Sequence, residues 1–191
     1  MSARPLANLR SAAGMPTAKL AVWWVIVSEI VIFGGLLASY VMHRLGHPEW
    51  AEQAALTNTW IGAFNTLVLL TSSLSAVLAH AAAERGDGPL AARRLLYTAA
   101  GGATFLVVKA FEWAPKIEAG HTITSSGFWA FYYTAAGLHA LHVLAGVVIM
   151  LFIAVQARRN EDLHRVELIG LYWHFVDVVW VFLFPLLYIA K

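Results

Sequence analysis

Long runs of apolar residues, separated by short polar segments, dominate this sequence. Each run is long enough to cross the hydrocarbon core of a bilayer, which takes about 20 apolar residues in a helix. Polar or Gly/Pro-containing segments bound every run. The pattern predicts an all-α integral membrane protein, a bundle of five transmembrane helices. They form a single membrane domain over residues 20–190, preceded by a segment at 1–19, with spans at about 20–42, 59–82, 93–115, 127–156 and 168–190.

Charge-free stretches give this prediction most of its support. Residues 53–83 and 119–157 contain no Asp, Glu, Lys or Arg, whereas Lys109 and Glu112 interrupt the third run. The first run, at 20–42, exceeds the 7–15 apolar residues of a secretory signal peptide, so we expect it to remain as a membrane anchor.

Composition agrees with a membrane protein and limits its chemistry. The 191 residues are 60% hydrophobic and 13% charged, against roughly a quarter charged in soluble domains. The chain has no cysteine, which excludes disulfides, thiolate metal sites, iron-sulfur clusters, attached c-type haem and a two-cysteine dinuclear copper centre. Any cofactor would need histidine or carboxylate ligands.

Basic residues predict the orientation of the chain. If the N-terminus is cytoplasmic, nine arginines and lysines lie inside and three lie outside, which is the positive-inside bias. We therefore predict that 1–19 is cytoplasmic and that the C-terminus is outside, and no basic patch indicates a nucleic-acid partner. The inner set is Arg4, Arg10, Lys19, Arg85, Arg93, Arg94, Arg158, Arg159 and Arg165; the outer set is Arg44, Lys116 and Lys191.

Seven ionisable residues are the firm cases inside the predicted spans, while His80, near the inner end of the second span, is expected to reach the surface. Such groups are costly in hydrocarbon and usually face a partner, a cavity or another subunit. Six of the seven form i,i+3 pairs, so each pair projects from one side of its helix. The seven are Glu29, Lys109, Glu112, His139, His142, His174 and Asp177.

Glu29 lies ten residues into the first span. Hydrocarbon disfavours an unpaired carboxylate, so we expect the neutral acid, either as a proton-handling group or as a structural carboxyl bonded to another helix. Gly34 with Ala38, and Gly35 with Ser39, have the small-xxx-small spacing that lets a partner helix approach closely. We interpret this face as a helix interface.

Each i,i+3 pair has a functional and a structural interpretation. Lys109 and Glu112 form either a local ion pair or part of a polar path or lipid-headgroup site. His139 and His142 could share a metal or haem with His174. Histidines that pack between helices are the favoured alternative, because the chain lacks a His-Glu-x-x-His motif.

His174 and Asp177 allow the same two interpretations. Asp177 could orient a functional imidazole, or the two side chains could simply satisfy each other, which we favour. Pro185 in the same span removes the helical donor for the Val181 carbonyl, so we expect a bend there.

Four segments of the sequence resemble subunit III of the haem-copper respiratory oxidases, the cytochrome c oxidase and quinol oxidase family. The resemblance covers about residues 20–190. The segments are Glu29–Gly35, Lys109–Trp113, Gly137–Val143 with Gly146, and Tyr172–Trp180, and the last two are highly specific in order and spacing.

This resemblance implies a non-catalytic, accessory subunit in the inner membrane of a bacterium. In the family, haems and copper reside in subunits I and II, while subunit III binds subunit I, holds phospholipid, and supports proton uptake and sustained turnover. By motif match, Glu29, with the nearby Gly34, Gly35 and Ala38, would face subunit I. The other six ionisable residues would form an internal polar core, with no catalytic residue and no cofactor in this chain.

The chain departs from the family pattern in two respects. The histidine motif is usually Thr-Gly-x-His-Gly-x-His, and here Ala136 replaces the threonine and Ala140 the second glycine. Full-length family members have two more helices before the first span, which form one wall of a lipid-filled cleft. Five-helix bacterial versions also exist.

Three other functions are compatible with parts of the sequence. A small membrane cytochrome b would need facing histidine ligands, and only His139, His142 and His174 are available. A proton or solute transporter could use Glu29 and Asp177, but the chain shows no repeat symmetry. A subunit III-like partner of a nitric oxide reductase is the third alternative.

Overall fold

A computed structural model describes Gly14 and residues 16–190 of the chain. The helices are α1 (Thr17–Gly46), α2 (Trp50–Ala55), α3 (Thr59–Glu84), α4 (Gly88–Glu118), α5 (Gly127–Arg158) and α6 (His164–Phe184). Within this described part there is no sheet, and five helices are long and apolar enough to cross a membrane. The predicted all-α, five-span fold class is therefore confirmed. Arg4, Arg10 and Lys191, which the orientation argument uses, lie outside the described residues.

Short polar residues define where three of the long helices begin. The side chain of Asn58 accepts from the amides of Trp60 and Ile61 at the start of α3. Asp87 does the same for Leu90 in α4, and Ser126 for Trp129 in α5. Each cap satisfies backbone donors that would otherwise lack partners at a helix end.

The short connections make successive long helices antiparallel. We call the side of the bundle at which α1 begins the N-side, and the side at which α1 ends the C-side. The short helix α2, which the hydropathy pattern did not predict, lies on the C-side between α1 and α3. Pro185 begins a π-helical turn, Pro185–Ile189, at the C-side end of α6, where it interrupts the regular α-helix.

Helices α3, α4, α5 and α6 form the core of the bundle, and α1 lies at its edge. Only 11% of the most apolar stretch of α1 is buried, against 28–44% in the other four long helices. Tyr40 ties α1 to the bundle by donating to the Leu186 carbonyl, and Lys19 pairs with Glu167 of α6 at 2.5 Å.

Trp173 of α6 fills the centre of the bundle and is fully buried. Its indole N–H donates to Ser72 of α3, and its ring lies against Gly102 of α4 and Gly146 of α5. A Cβ added at Gly102 would lie 2.6 Å from both the Trp173 ring and a Val147 methyl. The indole therefore needs glycine on two facing helices.

This packing predicts that Gly102→Ala destabilises the chain by about 1–3 kcal/mol, because the core has no room for a methyl group. Thermal unfolding in mild detergent would measure the effect. Gly34→Ala is the matched control, since no atom lies within 4 Å of a Cβ at that helical position. Equal melting temperatures for the two variants would contradict the packing described here.

Candidate functional site

The polar side chains of the spans gather in three places. The Glu112 network joins Lys109, Glu112 and Lys116 of α4 with Tyr132 and Tyr188. The Glu29–His142 pair joins α1 with α5. The Ser73 cluster joins Ser73 of α3 with His174 and Asp177 of α6.

Glu112 is the centre of the largest group. Its Oε2 atom accepts from Lys109 at 3.0 Å and from the Tyr188 hydroxyl at 3.0 Å. Its Oε1 atom accepts from Tyr132 at 3.0 Å and from Lys116 at 3.1 Å. One buried carboxylate thus has four donors, the full capacity of its two oxygens. These donors come from α4, α5 and the turn after α6, so the carboxylate joins three parts of the bundle.

Lys109 is almost fully buried at the same place. Its ammonium also donates to the Tyr188 hydroxyl and lies 5.0–5.5 Å from the ring centres of Trp113, Tyr132, Trp180 and Tyr188. Aromatic faces at this distance attract a cation. Lys109 and Glu112 therefore form an ion pair, which is one of the two predicted interpretations. The surrounding aromatic rings were not predicted from the spacing.

A pocket of about 330 Å³ leads from the C-side surface to this network. Its polar lining residues include Glu112, Lys116, Asn58 and His121. The network is therefore buried within the bundle but lies near one surface.

Glu29 and His142 meet between α1 and α5. The Glu29 Oε2 atom is 3.2 Å from His142 Nε2, close enough for an ion pair, although the angle is not that of a hydrogen bond. His142 Nδ1 lies 2.8 Å from the Leu138 carbonyl and must donate to it. His142 Nε2 is therefore the ring nitrogen that faces the Glu29 carboxyl. Glu29 has a partner that its own span does not contain.

His139 does not share the surroundings of His142, so the structure separates the two residues of the His-x-x-His motif. His139 is fully buried, with its ring stacked on Trp180 at 5.1 Å and edge-on to Phe105 at 5.3 Å. Neither ring nitrogen has a hydrogen-bond partner among the described residues. Side chains three residues apart on a helix point about 60° apart, so His139 faces the core and His142 faces α1.

His174 and Asp177 do not satisfy each other, contrary to the interpretation favoured above. His174 Nδ1 is 2.6 Å from the Ser73 hydroxyl. Asp177 is 5% exposed, and its two oxygens have no hydrogen-bond partner in the described part of the chain, although Ser73 is a close neighbour. The partner of His174 comes from α3, which spacing within α6 could not reveal.

His139, His142 and His174 thus have three different sets of neighbours. Over Gly14 and residues 16–190, no three His, Asp or Glu side chains form a group that could hold a metal ion.

Glycines 34 and 35 and Ala38 lie on the exposed side of α1. Sequence reasoning missed Tyr132, Tyr188 and Ser73, because an aromatic near a span end and a serine inside a span are both common without a functional role.

The fold and its buried polar groups define a multi-pass membrane protein. The family described as cytochrome c oxidase subunit III matches residues 10–191 of this chain. The chain is 33% identical over 169 residues to "Cytochrome c oxidase subunit 3" of Thermostichus vulcanus, covering 86% of this chain and 83% of that protein. It is 36% identical over 170 residues to the protein of the same name in Corynebacterium diphtheriae, covering 85% and 83%.

A longer relative is also similar. "Heme-copper oxidase subunit I+III" of Aeropyrum pernix is 30% identical over 181 residues, which cover 89% of this chain and 22% of that protein. The chain belongs to the cytochrome c oxidase subunit III family, as the four sequence segments predicted. Membership implies association with a haem-copper oxidase complex.

The geometry of the Glu112 network predicts different losses of stability when different members are substituted. Glu112→Leu should cost about 3–5 kcal/mol of stability, because it leaves Lys109 and Lys116 buried without their carboxylate. Lys109→Met should cost less, since Glu112 keeps Lys116 and both tyrosines. Thermal unfolding in detergent would rank the variants, and the double variant should recover part of the loss. A greater loss for Lys109→Met than for Glu112→Leu would contradict the central place of the carboxylate.

Proposed function

We propose that this chain is an accessory subunit that supports assembly, lipid binding, proton uptake and sustained turnover of the oxygen-reducing subunit I. In this proposal, haems and copper reside in partner subunits I and II, and the complex lies in a bacterial cell membrane. The observation that carries the proposal is the contrast between the self-satisfied Glu112 network and the open, weakly packed helix α1. The Glu112 network suits a rigid support, and the exposed surface of α1 suits docking to a partner.

The surface of α1 supports docking to subunit I. Nothing lies within 4 Å of an added Cβ at Gly34 or Gly35, and large apolar side chains of the same helix, such as Val31, are exposed. Small residues allow two transmembrane backbones to approach closely. The printed name of the Aeropyrum pernix relative joins subunits I and III, which also supports subunit I as the partner.

A groove beside α1 supports lipid binding. A pocket of about 390 Å³ lies between the N-side half of α1 and helices α5 and α6. Its walls include Val22, Ile149 and Leu168, and Arg165 and His164 line its N-side end. An acyl chain matches the apolar walls, while Arg165 at the N-side end is already paired with Asp162 at 2.8 Å.

The Glu29–His142 pair supports a role in proton supply. A proton that passes between a carboxyl and an imidazole leaves the net charge of the pair unchanged. The pair lies where α1 meets α5, and both side chains are partly exposed. A subunit I docked on α1 would be adjacent to this pair.

Removing this chain from the oxidase should leave the haem spectra of the partner unchanged. We expect substantial initial oxygen consumption, followed by inactivation during turnover, with slower proton uptake at higher pH. Continuous oxygen-electrode recordings of intact and depleted complexes would measure both rates. Glu29→Ala should give a milder form of the same defect through weaker docking, and Glu49→Ala, outside the spans, is its matched control.

Adding phospholipid back to the depleted enzyme separates the loss of lipid from the loss of the subunit. Depleted enzyme that has normal haem spectra but no activity from the first turnover would contradict the accessory role. Depletion with no effect on inactivation or proton uptake would reduce the function to assembly.

A further inference from the structure

The Glu112 network satisfies the hydrogen bonds of its carboxylate but does not balance its own charges. Lys109 and Lys116 bring two ammonium groups, Glu112 brings one carboxylate, and the two tyrosine hydroxyls are neutral. The network therefore holds one positive charge in excess. Such a charge inside a membrane protein is costly and favours a counter-charge nearby.

The pocket of about 330 Å³ beside the network, which we call the C-side pocket, supplies no such counter-charge of its own. Among the described residues, Glu112 is the only carboxylate that lines it. The volume lies within the range of pockets that hold small ligands. The counter-charge can therefore come from a bound anion.

Lys116 is the cation that faces the C-side pocket. Its ammonium donates to Glu112 Oε1 at 3.1 Å and to the Glu112 carbonyl at 3.3 Å. An ammonium has three donors, and the third has no acceptor among the described residues. The Lys116 side chain is 11% exposed, against 2% for Lys109, and it lines the pocket. The excess positive charge is therefore accessible at Lys116.

Two further side chains with unused donors line the same pocket. Asn58 caps α3 through its side-chain oxygen, and its Nδ2 group has no acceptor in the described part of the chain. Gly120, at φ 85°, allows the turn after α4 in which the His121 amide donates to the Lys116 carbonyl at 2.9 Å. The His121 ring has no hydrogen-bond partner within residues 16–190, and an imidazole always carries at least one N–H. Three segments thus bring free donors to one pocket.

The C-side pocket lies at the depth of the lipid headgroups. Helices α3 and α4 contain 26 and 31 residues, about 39 and 46 Å, so their ends extend beyond a hydrocarbon core of about 30 Å. Asn58 precedes the first residue of α3, and Lys116 lies in the last turn of α4. Phe111, which also lines the pocket, is 78% exposed and lies about 10 Å before the end of α4. The pocket therefore combines donors at headgroup depth with an apolar wall that faces the hydrocarbon.

We propose that the C-side pocket binds a phosphate group, with Lys116 as the cation and Asn58 and His121 as further donors. Lysine is a common phosphate ligand, basic pockets between transmembrane helices bind anionic headgroups, and one negative charge cancels the excess of the network. Glu112 is shielded from the anion, because its side chain is 1% exposed and its oxygens have four donors.

A phospholipid headgroup and free inorganic phosphate share this chemistry. The site is separate from the groove beside α1, which lies on the N-side and has other lining residues. The inference therefore does not rest on the proposed function.

Native mass spectrometry of the delipidated full chain in mild detergent tests the site and its source of phosphate. Phosphatidylglycerol, diacylglycerol with the same acyl chains, and inorganic phosphate are titrated separately. Diacylglycerol lacks the phosphate and measures acyl binding alone, including any in the groove beside α1. We expect a phosphate-containing probe, but not diacylglycerol, to bind Lys116→Gln about tenfold more weakly than the wild type, the effect of losing one charge-assisted hydrogen bond. The probe that shows this loss identifies the source.

Variants of the other two donors keep the neighbouring structure. Asn58→Asp retains a capping oxygen for α3 and adds a negative charge at the pocket, so it should weaken phosphate binding at least as much as Lys116→Gln. His121→Phe retains an aromatic ring against Trp129, on which His121 is stacked at 4.9 Å, and should weaken binding about threefold. Arg85→Gln is the matched control, because it removes an exposed positive charge at the N-side.

Three results would overturn the proposal. They are no binding of either phosphate-containing probe to the wild type, equal affinity of the wild type, Lys116→Gln and Asn58→Asp, or an equal loss in Arg85→Gln. If Lys116→Gln does not fold, Asn58→Asp and His121→Phe decide the question. Unchanged diacylglycerol binding in these cases would leave the lipid groove beside α1, and with it the proposed function, intact.

Discussion

A carboxylate buried among helices must receive all its hydrogen bonds from the protein, because hydrocarbon supplies none. Glu112 meets this requirement with two ammonium groups and two tyrosine hydroxyls. Its donors come from α4, α5 and the turn after α6, so these hydrogen bonds hold three elements of the core in one relative position. The fully buried Trp173, held between glycines of α4 and α5, applies a similar constraint at the centre of the bundle.

Helix α1 is free of these constraints, and the proposed function depends on that difference. It touches the bundle through the Tyr40 hydroxyl, the Lys19–Glu167 ion pair and the Glu29–His142 pair, while much of its apolar surface remains exposed. A rigid core with a loosely attached edge helix suits a subunit that docks on a larger partner.

The sequence predicted the fold better than the site, for physical reasons. Span number and helix type follow from apolar length. The ion pair of Lys109 and Glu112 could also be predicted from the sequence, because i,i+3 spacing places both side chains on one side of a helix. The expected pairing of His174 with Asp177 used the same rule and was wrong, since Ser73 of another helix lies closer to the imidazole. No motif in the sequence marks Tyr132 or Tyr188, and only tertiary packing brings their hydroxyls to Glu112.

The central claim is the prediction that the polar groups of this chain hold no redox cofactor, in keeping with an accessory role. The measurement that tests it most directly is the visible absorption spectrum of the purified chain, with iron and copper analysis per polypeptide. The account predicts no haem Soret band and no stoichiometric metal. A Soret band at one haem per chain, lost on substitution of His139, His142 or His174, would contradict it.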